Sequence, residues 1–215
     1  ALCSFEELQT FAAAAARLRV NKIRITGGEP LVRRDIPELC AMLRAVPGVA
    51  ELCLTTNGIR LAQLARPLRK AGVDRLNISL DSLRPERYRA ITRVDGLDAV
   101  LSGIRAAEDA GFENLKINCV LLGGINDDEI EDFVRLTLDK PWQVRFIELM
   151  PMGVCAAWPR ERFLSAQAVL DRVPQLQAVG AGGVAKLYRL PGAAGTVGLI
   201  EPMSCAFCAD CSRIR

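Results

Sequence analysis

Five short β-rich runs alternate along this chain with amphipathic helical patterns, and that alternation constrains the fold more than any other feature. The runs are VNKIRITGG (20–28), ELCLTTNG (51–58), DRLNISLDS (74–82), NLKINCVLLGG (114–124) and WQVRFIELMP (142–151). Between them lie RRDIPELCAMLRAV, IRLAQLARPLRKAG, GLDAVLSGIRAAEDAGF and NDDEIEDFVRLTLDK. Each carries apolar residues at steps of three and four, with acids early and bases late in several, as a helix and its dipole favour. Strands joined by helical crossovers run parallel, so the expected class is α/β, most simply part of a (β/α) barrel. An alanine-rich helix over roughly 4–19 calls for a strand before it that the chain does not contain.

After about residue 151 the pattern changes. A helix is expected around 161–172, then a Gly/Ala-rich stretch, then two strand-like runs, VAKLYRL and TVGLIEPMS, separated by PGAAG. These predict a smaller extension built on a β-hairpin, so the domains read as 1–151 for a partial barrel and 152–215 for the extension. No run of 18 apolar residues exists to span a membrane, and the alanine-rich start lacks the charged head and cleavage site of a signal peptide. The expected compartment is the cytoplasm. A net charge of only +3 with two Tyr and two Trp argues against a nucleic-acid binder. Histidine is absent, which excludes histidine triads, histidine-ligated zinc and histidine acid–base catalysis within this sequence.

Side chains on a strand alternate faces. Ile23 and Ile25 therefore oppose Lys22, Arg24 and Thr26; Leu52 and Leu54 oppose Cys53, Thr55 and Asn57. Leu76, Ile78 and Leu80 oppose Asn77, Ser79 and Asp81, and Leu115, Ile117 and Cys119 oppose Lys116, Asn118 and Val120. The aliphatic face must meet helices, so the polar face lines the barrel and would hold Lys22, Arg24, Lys116 and Arg145 against one clear acid, Asp81. Burying unmatched charge costs on the order of several kcal/mol per group, so an anionic ligand is expected, and phosphate fits well. An open sheet with one solvated face would instead let these cations meet water. TGGEP, TTNG, SLDS and ELMPMG stand at the strands' carboxyl ends, where barrel sites lie. In the first, Gly27 and Gly28 let backbone approach a ligand, Glu29 offers a carboxylate and Pro30 holds Glu29 extended.

Of eight cysteines, Cys3, Cys40, Cys53, Cys119 and Cys155 are scattered singly and read as free thiols in a larger α/β chain. Cys205, Cys208 and Cys211 differ, because three soft donors at three-residue spacing suit a metal or an iron–sulfur cluster. Arg213 and Arg215 follow at once.

Taken together, KIRITGGEPLVRRDI, LTTNGIRL, RLNISLDSL, KINCVLLGGINDDEI, VRFIELMPMG and FCADCSRIR closely resemble the molybdenum-cofactor biosynthesis protein A family of radical S-adenosylmethionine (SAM) enzymes, the GTP 3',8-cyclases. The likeness runs over essentially the whole chain. The GGEP-type motif alone indicates a radical SAM enzyme; the basic strand before it and the terminal C-x-x-C with R-x-R narrow the resemblance to this family. It implies an incomplete (β/α)6 barrel lacking its first strand, with a C-terminal extension, two 4Fe–4S clusters, and SAM. One cluster cleaves SAM reductively; the other holds GTP. The deoxyadenosyl radical takes hydrogen from ribose C3', which then bonds to guanine C8.

Carried over by position, the resemblance places SAM at Gly27, Gly28, Glu29, Asn57, Ser79 and Met150. It places GTP at Arg24, Thr55, Lys116, Arg213 and Arg215, with Lys22 and Arg145 as further phosphate candidates. Cys208 and Cys211 match ligands of the second cluster, and Cys205 is read as a bystander or a substitute third ligand. Met150 and Arg145 have opposite parity, and both reach one site only if the last strand bends or ends near Leu149. The implied partners are cyclic pyranopterin monophosphate synthase downstream, a reductant such as flavodoxin or ferredoxin, and a homodimer. The family's C-x₃-C-x₂-C loop is missing, so the resemblance implies a chain cut at both ends and inactive as it stands. Two other readings stay open: a peptide-modifying radical SAM enzyme with an auxiliary cluster, and a non-catalytic phosphate-binding domain with structural zinc at Cys205, Cys208 and Cys211.

Overall fold

Ser4 starts the first helix by a reciprocal cap: its Oγ accepts from Glu7 N at 3.1 Å while Glu7 Oε2 accepts from Ser4 N at 2.7 Å. The computed structural model describes residues 3–205, so Cys208, Cys211, Arg213 and Arg215 lie outside the described residues. In chain order the elements are α1 (Phe5–Arg17), β1 (Lys22–Ile25), α2 (Ile36–Arg44), β2 (Glu51–Thr56), α3 (Leu61–Lys70) and β3 (Arg75–Ser79). Next come α4 (Pro85–Thr92), α5 (Leu97–Asp109), β4 (Lys116–Leu121), α6 (Ile130–Asp139) and β5 (Gln143–Glu148). The chain continues with α7 (Gln167–Arg172), β6 (Gln177–Gly182), β7 (Ala185–Arg189) and β8 (Thr196–Ile200). Residues 1–79 with 96–115 form one compact unit, and 80–95 with 116–215 form another.

In the first unit β1, β2 and β3 run parallel, with Arg24 opposite Cys53 and Thr55 opposite Asn77. The aliphatic face is buried as alternation requires: Leu52, Leu54, Leu76 and Ile78 are at most 1% exposed. Each such side chain gains roughly 1.5–3 kcal/mol from leaving water. Helices α3 and α5 pack on each other through buried stripes, Leu61, Ala65 and Leu68 against Val100, Ile104 and Ala107.

In the second unit β4, β5 and β8 are parallel, and β8 continues antiparallel into β7 and then β6. The expected hairpin is present as β7 and β8. Phe133 of α6 meets Phe146 of β5 edge to face, with ring centroids 6.1 Å apart.

Three elements depart from the sequence expectation. The Gly/Ala-rich stretch forms β6, an exposed edge strand with a register shift between Ala178 and Gly180; pairing with β7 overrides its weak intrinsic preference. The helix expected around 161–172 begins only at Gln167, after a 3-10 turn at Arg160–Arg162, because Ser165 Oγ accepts from Gln167 N at 3.2 Å and turns the chain there. Helix α4 gives no apolar period in the sequence, since Tyr88 is its one buried residue.

Candidate active site

At the carboxyl end of β1, Gly27 takes φ 153°, a conformation that side chains rarely adopt. A Cβ placed on Gly27 or Gly28 would meet nothing within 4 Å, so this backbone is uncovered and suits a ligand that lies against it, as SAM is expected to. Glu29, next in line, is engaged by the chain itself. Its Oε1 accepts from Leu31 N at 3.0 Å and from Thr56 Oγ1 at 2.7 Å, and its Oε2 from Asn57 N at 2.6 Å. Asn57 Oδ1 accepts from Ile59 N at 3.1 Å and Thr56 Oγ1 from Gly58 N at 3.0 Å, which completes the turn after β2. The Glu29 carboxylate thus joins the loops after β1 and β2 and leaves main chain facing outward.

Arg24 and Thr55 come together on the polar face, with Arg24 Nη1 donating to Thr55 Oγ1 at 3.3 Å. Beside Thr55 stands Asn77, 7% exposed, whose Oδ1 is buried with no hydrogen-bond partner among the described residues. Ser79 follows two residues on, half-buried at the end of β3. Lys22 lies elsewhere, at the start of β1. Its Nζ is 2.7 Å from Glu51 Oε2, while Arg75 Nε is 2.8 Å from Glu51 Oε1. Burial alone would raise the Glu51 carboxyl, but hydrogen bonds from Lys22 and Cys53 and the charges of Lys22 and Arg75 hold it below its ordinary value. Counting Asp81 as the one clear acid of the polar face therefore missed Glu51, which matches Lys22 within the protein.

In the second unit Lys116 and Asn118 are half-buried on β4, and Asn118 stands opposite Arg145 of β5. Arg145 is 7% exposed; its Nε donates to Gln143 Oε1 at 2.6 Å, and Gln143 Nε2 donates onward to Thr196 Oγ1 at 3.4 Å. Across the sheet Arg145 faces Gly198, where a Cβ would come 3.2 Å from Arg145 Cγ, so the glycine leaves room for the arginine stem. Asn118 Oδ1 is a second buried amide oxygen with no partner among the described residues. Asp81 accepts from Val120 N at 2.8 Å, and burial pushes its carboxyl above the ordinary value despite that bond. β5 ends at Glu148, and Met150 lies beyond it, 39% exposed, which removes the parity conflict with Arg145.

Two carboxylates that the sequence reading did not single out organise this unit. Glu129, 0% exposed, accepts from Ser82 Oγ at 2.8 and 3.1 Å, Leu83 N at 2.7 Å and Arg87 Nη1 at 2.6 Å. Glu148, 2% exposed, gathers donors from the segments near residues 166 and 204. Desolvation opposes its ionisation, yet hydrogen bonds from Ser204, Ala166 and Met203 outweigh that and keep the carboxyl below its usual value. Glu148 could have been noticed as an acid on the parity of Val144 and Phe146; Glu129 carried no local signal. Cys205, the last described residue, is exposed.

Comparison with known proteins gives two family matches. Residues 4–137 match the radical SAM superfamily and residues 142–215 match Molybdenum Cofactor Synthesis C. A GTP 3',8-cyclase of Peptoclostridium acidaminophilum is 49% identical over 218 residues, covering 100% of this chain and 67% of that protein. One from Geobacter sulfurreducens is 48% identical over 220 residues, with 100% and 67% covered. The chain thus spans about two thirds, 67%, of the length of these relatives. Among solved structures, TYW1 with a lysine–pyruvate adduct bound aligns with TM-score 0.57 at 16% identity, covering 83% of this chain and 64% of that one. Coproporphyrinogen III oxidase from Escherichia coli aligns with TM-score 0.57 at 16% identity, covering 86% and 47%. At such identity these two speak for the fold alone.

Proposed function

The chain belongs to the radical SAM superfamily and, within it, to the GTP 3',8-cyclase family, and from that premise we propose that it serves the conversion of GTP to (8S)-3',8-cyclo-7,8-dihydroguanosine 5'-triphosphate in molybdenum cofactor biosynthesis. What carries the reading is 49% identity to a protein named for that activity, sustained across the whole chain. The uncovered Gly27–Gly28 backbone and the Arg24–Thr55 pair support it.

Family membership brings an iron–sulfur cluster and SAM. When bound, they supply the one-electron cleavage that yields the hydrogen-abstracting radical. The chain's own residues bind and orient. In the first unit, Gly27 and Gly28 backbone and Ser79 contact SAM, within a loop pair that Glu29 and Asn57 hold in shape. There Arg24 and Thr55 contact GTP. In the second unit the resemblance assigns Met150 to SAM and Lys116 and Arg145 to phosphate, and Gln143 Oε1 accepts from Arg145 Nε. Lys22 is already paired with Glu51 at 2.7 Å and would reach phosphate only by leaving that carboxylate. Cys208 and Cys211 ligate a second 4Fe–4S cluster, and Arg213 and Arg215 steady the nucleotide there.

The reading extends to an incomplete (β/α)6 barrel over 1–151 with an extension over 152–215, and to two clusters in the intact protein. It extends also to flavodoxin or ferredoxin as reductant, cyclic pyranopterin monophosphate synthase as the next enzyme, a homodimer, and the cytoplasm. No helix among the described residues is long and apolar enough to cross a membrane.

The test is anaerobic reconstitution of the protein with its full natural chain, followed by incubation with SAM, GTP and dithionite. Mass spectrometry should find the cyclised triphosphate and 5'-deoxyadenosine in equal amounts. Deoxyadenosine without a cyclised nucleotide would sink the reading.

A further inference from the structure

Glu148 closes β5 on the strand's apolar parity, where a carboxylate is costly unless its oxygens are filled. They are filled by four neutral donors. Oε1 accepts from Ala166 N at 3.0 Å and Ser204 Oγ at 2.5 Å; Oε2 accepts from Met203 N at 3.0 Å and Ser204 N at 2.9 Å. Ser165 Oγ lies 3.2 Å from Ser204 Oγ, so the same two segments touch again beside the carboxylate. Three of the four donors are main-chain N–H groups, so the grip fixes backbone position whatever side chains stand there. Cys208 is four residues past Ser204, which keeps its Cα within about 14 Å of Ser204 even in a fully extended chain. Met150 follows Glu148 by two residues. One buried carboxylate therefore fixes the end of β5, the start of α7 and the origin of the cysteine-bearing segment.

We propose that Glu148 is a positioning residue for the second cluster: by clasping Met203 and Ser204 it anchors the backbone from which the chain runs on to Cys208 and Cys211, the residues that would hold its iron. This rests on the cyclase reading above. The carboxylate suits the task because it accepts from all four donors at once, and an amide of the same size does not: glutamine would turn an N–H₂ group toward one of the N–H donors.

The test uses the full-length holoprotein prepared anaerobically, with Glu148→Gln compared against wild type and against Glu129→Gln, a buried acid of the same unit that does not touch the cysteine segment. Iron release to a chelator and the EPR signal of the reduced protein are followed, the signal lost in Cys208→Ala marking the cluster concerned. Glu148→Gln should release that iron about 10–100-fold faster and weaken GTP binding by a similar factor, the usual cost of losing a residue that orients metal ligands. Glu129→Gln should lower the Tm and leave iron release at the wild-type rate. If Glu148→Gln fails to fold, Ser204→Ala removes one donor and should speed release several-fold, about 3–10-fold. Wild-type iron release and GTP affinity in Glu148→Gln, or equal acceleration in Glu129→Gln, would overturn the clasp, as would wild-type protein with no iron on these cysteines. Wild-type protein that holds this iron but binds no GTP would end the cyclase reading instead, and iron release would still decide the clasp.

Discussion

Glu129 and Glu148 are both buried carboxylates of the second unit, and they are satisfied in opposite ways. Glu129 has a cation among its partners: Arg87 reaches it at 2.6 Å and reaches Asp128 at 2.5 Å, with Arg84 on Asp128 at 2.7 Å. Around it close Ser82 and Leu83, so the acid staples α4 and its approach to the turn before α6. Glu148 takes only neutral donors, joining the buried start of α7 at Ala166 to the exposed segment at Met203, 52% exposed. An ion pair inside a well-covered region holds the fold together. A carboxylate filled by backbone N–H groups holds a segment in place. The first should therefore show in stability, the second in what the segment carries.

The largest expected effect follows from the staple. Glu129→Ala leaves Ser82 Oγ and Leu83 N without their acceptor and halves the partners of Arg87, and it should cost about 3 kcal/mol of unfolding free energy. The figure sits at the low end for a broken buried pair because the Arg87 side chain is 24% exposed and keeps Asp128. Denaturant unfolding of Glu129→Ala measures it, and a loss under about 1 kcal/mol would remove the distinction between the two acids. Glu148→Gln should cost less, about 1–2 kcal/mol, since one or two backbone donors lose their acceptor and no cation is stranded.

What the sequence made legible divides along the same line. The βα alternation, the aliphatic faces and the pairing of Arg24 with Thr55 on one face all follow from side-chain period, a property of each strand by itself. Glu129 reads locally as one of three acids opening a helix, in NDDEI, and only Arg87, 42 residues away, makes it a buried staple. Glu148 needed donors 55 and 56 residues downstream. Glu51 is legible to the alternation argument, two residues before Cys53 on the same face, and offsets the positive surplus there. Strand β6 could not be read because its composition opposes its structure.

Asp81 is a third carboxylate: it accepts from Val120 N at 2.8 Å, and burial raises its carboxyl above the ordinary value. A carboxyl raised by folding favours the protonated form in the native state, so wild-type stability should improve as pH falls through that raised value toward the unfolded one. Asp81→Asn removes the charge and keeps an oxygen for Val120 N. It should stabilise by about 1 kcal/mol at neutral pH, and the gain should vanish below about pH 4, where unfolded aspartate is itself protonated. A gain that grew on acidification would mean the ionised form is the one the fold prefers.

The smallest effect is the one that isolates the clasp. Lys186 Nζ meets Glu201 Oε2 at 2.6 Å, so a second contact holds the segment that leads to the cysteines. Its lysine side chain is 54% exposed, however, and an exposed ion pair exchanges one set of solvent contacts for another while losing side-chain freedom. Lys186→Ala should leave iron release and GTP affinity within about two-fold of wild type, the range expected for a weak surface pair. Raising salt should likewise leave wild-type iron release unchanged, because a carboxylate filled by buried neutral donors is poorly screened, whereas a surface pair is screened within a Debye length. If Lys186→Ala or added salt loosened the iron as far as Glu148→Gln, the segment would be held by surface charge, and the buried carboxylate at the end of β5 would be one polar contact among several.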